Sequence, residues 1–147
     1  MQLKRVVVTG LGALTPIGNN IEEYWNGLVN GKSGSAPITY YDTEKFKVKF
    51  ACELKDYKTE DYFDRKEGRK LDRFAQYALI SSDEAIKDSK LDLEKLDKFR
   101  TGVIWGAGIG GLETFQNEVM NFAQGDGTPR FNPFFIPKMI ADIAPGH

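Results

Sequence analysis

Apolar and polar positions follow different rhythms along this chain. Val6, Val7 and Val8 form a continuous β-branched run closed by Thr9 and Gly10, the pattern of a short strand buried on both faces of an α/β sheet. From residue 21 the period lengthens. Ile21, Tyr24, Trp25 and Leu28 recur at helical spacing, Asn20 stands at the N-cap position with Glu23 three residues on, and Gly31 supplies a stop. The spacing predicts a helix over 21–30 with those four side chains toward a core. Residues 31–41 read as turns. Val48, Phe50, Cys52 and Leu54 then alternate with Lys47, Lys49, Ala51 and Glu53, which predicts a half-buried strand.

Residues 61–73 are densely charged, and from about residue 72 to 90 the pattern is again helical, with Phe74, Tyr77, Ala78, Ala85 and Ile86 placed to face a core. After a charged connector (91–100), Val103, Ile104 and Trp105 form a second apolar run between Gly102 and Gly106 and predict a second buried strand. The glycine-rich turn 106–111 leads into a helix carrying Leu112, Phe115, Val119 and Phe122, which Gly125, Asp126 and Gly127 break. The loop 129–137 holds Phe131, Phe134 and Phe135. Met139, Ile140, Ile143 and Ala144 make a helix-like apolar stretch running into Pro145, Gly146 and His147. Two buried strands among helices indicate an α/β chain, yet a parallel sheet needs more strands with both faces covered. The expectation for 1–147 is therefore an incomplete domain.

With 41% hydrophobic and 28% charged residues over 147 positions, the composition is that of an ordinary globular domain. Twenty basic against twenty-one acidic residues give a net charge of −1, so affinity for an acidic partner must come from a local patch. One cysteine forms no internal disulfide. No apolar run approaches the roughly 20 residues of a bilayer span, and the apolar part of the start is too short for a signal peptide. A reducing, cytoplasmic setting is expected.

Four features could carry chemistry. Gly106, Gly108 and Gly111 satisfy G-x-G-x-x-G between a predicted strand and a helix, the context of a dinucleotide-binding turn. About 20 residues on, where an acidic strand end should hold a ribose, stands only the loop acid Asp126; the alternative is a turn whose backbone must approach something closely. Cys52 shares its strand face with Val48, Phe50 and Leu54 and reads as a small buried hydrophobe with no histidine near it in sequence. His147, the single histidine, makes no usual metal site alone. Lys66, Arg69, Lys70 and Arg73 fall at i, i+3, i+4 and i+7, with Arg65 beside them. On one helical face they suit an anionic partner, or are a solvated face balanced by Asp64, Glu67 and Asp72.

Val6 to Gly12 (VVVTGLG) with Thr15-Pro16-Ile17-Gly18, Arg69-Lys70-Leu71-Asp72 leading into Phe74-Ala75-Gln76-Tyr77, Gly106 to Gly111 (GAGIGG), and Asn132 to His147 (NPFFIPKMIADIAPGH) together resemble the beginning of a beta-ketoacyl-acyl-carrier-protein synthase, in the branch serving bacterial fatty acid synthesis. The likeness runs in register over essentially the whole chain, with Pro145 a local departure. The resemblance implies a thiolase-like fold of mixed five-stranded sheets layered with helices, only the first part of it present, and a homodimer. It implies an acyltransferase that condenses an acyl thioester with malonyl-carrier protein by decarboxylative Claisen condensation, without a cofactor. Neither Cys52 nor His147 inherits a catalytic role. The resemblance assigns Ile109, Phe134 and Phe135 to the acyl-chain pocket, and Lys66, Arg69 and Lys70 to docking of acyl carrier protein with its phosphopantetheine-linked groups. Nucleic acid and membrane are not expected partners. Two rivals remain: a non-catalytic partner subunit of the chain-length-factor type, and a dinucleotide-binding module.

Overall fold

The computed structural model describes residues 3–147; Met1 and Gln2 lie outside the described residues. The elements run α1 (Ile21–Val29), β1 (Ala36–Pro37), β2 (Phe50–Ala51), a 3₁₀ turn (Thr59–Asp61), α2 (Arg65–Lys70), α3 (Arg73–Ser89), α4 (Leu112–Gln124) and α5 (Phe135–Met139). Two compact units divide the chain: Met1–Tyr57 with Ile80–Asp92, and Lys58–Leu79 with Leu93–His147.

In the first unit, α1 begins and ends where the residues dictate. The Asn20 side chain accepts the Glu23 N–H at 2.8 Å, and the Glu23 carboxylate reaches back to the Asn19 N–H at 2.8 Å, so two of the donors at the helix start are satisfied. At the other end Gly31 takes φ +63°; its N–H donates to Leu28 O and that of Lys32 to Gly27 O, a closure that needs a left-handed residue. The expected core face is only partly realised. Ile21 and Tyr24 are half-buried, whereas Trp25 and Leu28 are 63% and 47% exposed.

Residues 10–13 run directly over the second half of α3. A Cβ on Gly10 would stand 2.1 Å from Ala85 O, and one on Gly12 2.0 Å from Ser81 O, so only glycine allows this approach of backbone to backbone. The helix answers with carboxylates: Asp88 accepts the Leu11 N–H, and Glu84 accepts the N–H groups of both Ala13 and Ile21.

Three strand expectations need correction. Val6, Val7 and Val8 join no ladder among the described residues and are 90%, 62% and 79% exposed; Val103 and Ile104, likewise outside any ladder, are 71% and 99% exposed. An apolar run states what the side chains require, but a strand also needs a neighbouring backbone to pair with. The predicted strand around residue 50 contracts to β2, which pairs antiparallel with β1 in the stretch read as turns, with Ala36 opposite Ala51 and Pro37 opposite Phe50. Pro37 has no N–H to donate, which suits a ribbon two strands wide. Of the alternation expected over 47–54 only 50–53 keeps a period of two, with its faces reversed: Phe50 and Cys52 are exposed and Ala51 and Glu53 half-buried, whereas Lys47, Val48 and Lys49 are all exposed and Leu54 is half-buried. No second layer covers the apolar face among the described residues, so Cys52 is an exposed thiol and not a core residue.

The core of the second unit is small, formed by Leu71, Ala75, Ala78 and Ala144 with Phe63, Phe74, Leu79 and Ile143 packed around them. In α3 the expected Ala78 is buried and Phe74 and Tyr77 are half-buried, but the deepest positions include Ala75 and Gln76. Helix α4 follows its predicted span, yet Leu112, Phe115, Val119 and Phe122 remain 41% to 54% exposed. Part of the aromatic loop is helical: α5 takes Phe135–Met139, with Pro137 in the first turn where a missing N–H costs nothing. The apolar stretch after it forms successive tight turns, Ile143 N–H to Ile140 O and Gly146 N–H to Ile143 O, instead of a continued helix.

Candidate functional site

The basic face is built by a helix of six residues. Asp64 caps α2, its carboxylate accepting the N–H groups of Lys66 at 2.7 Å and Glu67 at 2.8 Å. Lys66 and Arg69 are exposed; Lys70 is half-buried and pairs with Glu67 at 2.6 Å. Leu71, extended at φ −107° and ψ 137°, ends α2, and Arg73 opens α3, where its guanidinium lies 3.5 Å from the Glu113 carboxylate. The expected four-residue cationic face is therefore Lys66, Arg69 and Lys70, because the chain turns before Arg73.

Arg69 also borders a cleft of about 510 Å³, lined by Glu118, Asn121, Arg130, Phe131, Asn132, Pro133 and Phe134. Local hydrogen bonds set its wall. The Asn132 N–H donates to Glu118, the Asn132 side chain accepts the Phe134 N–H at 2.8 Å, and the Asn132 carbonyl accepts the Phe135 N–H. Arg130, a cation outside the predicted basic cluster, approaches Asp126 at 3.8 Å. The N–H of Thr128 holds the Asp126 carboxyl below the usual aspartate value, with the Thr128 hydroxyl adding to the effect. Arg130 stands far from α2 in sequence, so helical spacing carried no signal for it.

Of the three predicted pocket residues, the structure puts Phe134 on this cleft and Phe135 in a file of rings. Phe135 stacks against Phe115 and Phe131 at centroid distances of 6.4 Å and 5.7 Å, and Phe131 meets Phe122 at 5.6 Å. Ile109 is 71% exposed on the glycine turn and does not line the cleft. In that turn Gly106 and Gly108 face open space, while Gly110 (φ +86°) and Gly111 press on the backbone of α5, where an added Cβ would stand 2.4 Å from Met139 O and 2.2 Å from Lys138 O. Gly111 N–H also donates to Met139 O. The glycines thus serve a close backbone approach, and no strand precedes the turn as a dinucleotide-binding unit requires.

Among the described residues no group of three or more His, Cys, Asp or Glu side chains could hold a metal ion. Among the same residues no helix is long and apolar enough to cross a membrane.

Residues 3–147 match the family described as "Beta-ketoacyl synthase, N-terminal domain". The chain is 45% identical over 148 aligned residues, 99% of its length, to 3-oxoacyl-[acyl-carrier-protein] synthase 2 of Staphylococcus aureus, and 43% identical over 146 to the protein of the same name from Synechocystis sp.. It spans 35% of the length of each. Among solved structures, the ishigamide ketosynthase/chain length factor superposes with a TM-score of 0.80 at 30% identity, covering 94% of this chain and 34% of that one. A type II polyketide ketosynthase, bound to a hexaketide and in complex with its acyl-carrier protein, gives 0.77 at 27% identity, covering 99% and 38%. These likenesses give the exposed runs and the uncovered ribbon their context, a thiolase-like ketosynthase architecture of which this chain matches about a third. The chain belongs to the beta-ketoacyl synthase family, in the part that forms its N-terminal domain.

Proposed function

We propose that the intact protein is a 3-oxoacyl-acyl-carrier-protein synthase, with residues 1–147 as the amino-terminal part of its first thiolase-like half, acting as a homodimer in the cytoplasm. It takes an acyl group from carrier protein onto a cysteine, decarboxylates malonyl-carrier protein, and joins the resulting carbanion to the acyl thioester, releasing CO₂ and freeing the cysteine. That chemistry needs an activated thiolate, imidazoles facing the developing enolate charge and an oxyanion hole. Neither Cys52 nor His147 is assigned to it. This chain contributes reception of the substrates. Lys66, Arg69 and Lys70 dock the acidic carrier protein, while Ile109, Phe134 and Phe135 line the path of the acyl chain.

One observation supports the reading above the others. Of the three acyl-path residues Phe134 alone lines the cleft that the exposed cation Arg69 borders, so a cation for an anionic carrier and an aromatic start to the path of its acyl cargo adjoin. A charged rim steers encounter, and an aromatic wall receives apolar chains. The test is condensation by the intact protein with acyl- and malonyl-carrier protein. A 3-oxoacyl product two carbons longer, formed with CO₂, is the expected result; carrier binding without any product would instead match a non-condensing partner subunit.

A further inference from the structure

The docking face rests on a helix too short to hold itself. An isolated helix below about 12 residues is marginal in water, and α2 has six. Its far end is held by one buried side chain of α3. Gln76 is 4% exposed, and its amide nitrogen donates to Gly68 O at 3.0 Å, inside α2, and to Leu71 O at 3.3 Å, at the residue that ends α2. Its amide oxygen accepts from the Thr59 hydroxyl at 3.1 Å, and this bond fixes which way the amide faces. Gly68 is itself buried, and a Cβ there would stand 2.6 Å from the Thr59 methyl. The helix is thus clamped between the 3₁₀ turn and α3, with Gln76 satisfying carbonyls that α2 cannot satisfy itself.

We infer that Gln76 is a positioning residue for carrier-protein docking. It touches no carrier, but it sets the place and tilt of α2 and so the arrangement in which Lys66, Arg69 and Lys70 meet an anionic surface. The inference rests on the docking reading above. A hydrocarbon at position 76 leaves two buried carbonyls without a donor, and their return to water requires α2 to move.

The test titrates the intact protein with fluorescently labelled holo-acyl-carrier protein and compares wild type with Gln76→Leu, Thr59→Val and the double reversal Arg69→Glu/Lys70→Glu. Gln76→Leu is expected to weaken binding by about tenfold and Thr59→Val, which only frees the amide to rotate, by about two- to threefold, with a shallower salt dependence in both. Added to the charge reversal, Gln76→Leu should cost little more, because it acts through the same cations. Binding unchanged in both single variants, with the charge reversal still harmful, overturns the role of Gln76 and leaves the docking reading intact. A fully additive loss also overturns it. If the charge reversal itself has no effect, docking on α2 fails and the inference with it. Should Gln76→Leu not fold, Thr59→Val decides by its own binding constant.

Discussion

Ile109 shows how a side chain's assignment and its surroundings can be tested apart. It is 71% exposed, and Gly106 and Gly108 have nothing near them, so Ile109→Phe should change the stability of this chain by no more than about 0.5 kcal/mol. If the side chain lines the acyl path of the intact protein, the ring occupies volume a long chain needs, an overpacking cost of about 1 to 3 kcal/mol. Acyl transfer should fall for long chains and persist for short ones; an equal fall at every length would remove Ile109 from the path. Cys52 carries a second prediction. Exposed as it is, it should be alkylated by iodoacetamide in the folded 147-residue chain without prior denaturation, and protection from the reagent would contradict the structure. Alternation correctly paired Phe50 with Cys52 on one face, but periodicity cannot say which face is covered. Gln76 was hidden for another reason: a polar side chain at a core position is visible only once the carbonyls it satisfies are in place.

At the scale of elements, helix boundaries were the most legible feature. Asn20 and Gly31 bounded α1, and the glycines after Gln124 ended α4, within a residue of expectation, because the cap and left-handed closure of α1 and the helix-breaking glycine after α4 are local chemistry. The basic face was legible as composition and not as geometry, since the extended Leu71 that separates Arg73 from α2 leaves no mark in an i, i+3, i+4 count. Long-range anchors were invisible for the same reason. Glu84 holds the N–H groups of Ala13 and Ile21, 71 and 63 residues away. Glu84→Ala should therefore cost about 2 kcal/mol, as two donors lose a charged acceptor. Thermal or urea unfolding of the wild type and variant checks it, and an unchanged midpoint would show that solvent replaces the carboxylate freely.

For the whole molecule, apolar runs and helical periods indicated only an α/β chain, the thiolase-like class came from the family resemblance, and the two runs expected as buried strands form no ladder among the described residues. Val6, Val8 and Ile104 are largely exposed and the described ladders amount to one pair of two-residue strands. Unpaired apolar runs favour association. The 147-residue chain by itself should sediment as dimers or larger species, and a sharply melting monomer would show that these runs are covered in solution. On the proposed function, the face on α2 receives an acidic carrier protein for a condensing enzyme. The most direct measurement of this is the KM of the intact protein, with and without Arg69→Glu/Lys70→Glu, for a carrier-bound acyl substrate and for the same acyl group on a small thioester. The predicted result is a KM raised roughly tenfold for the carrier substrate alone, the loss shrinking above about 0.15 M salt as screening shortens to about 8 Å. Equal losses on both substrates, or none on either, would contradict it.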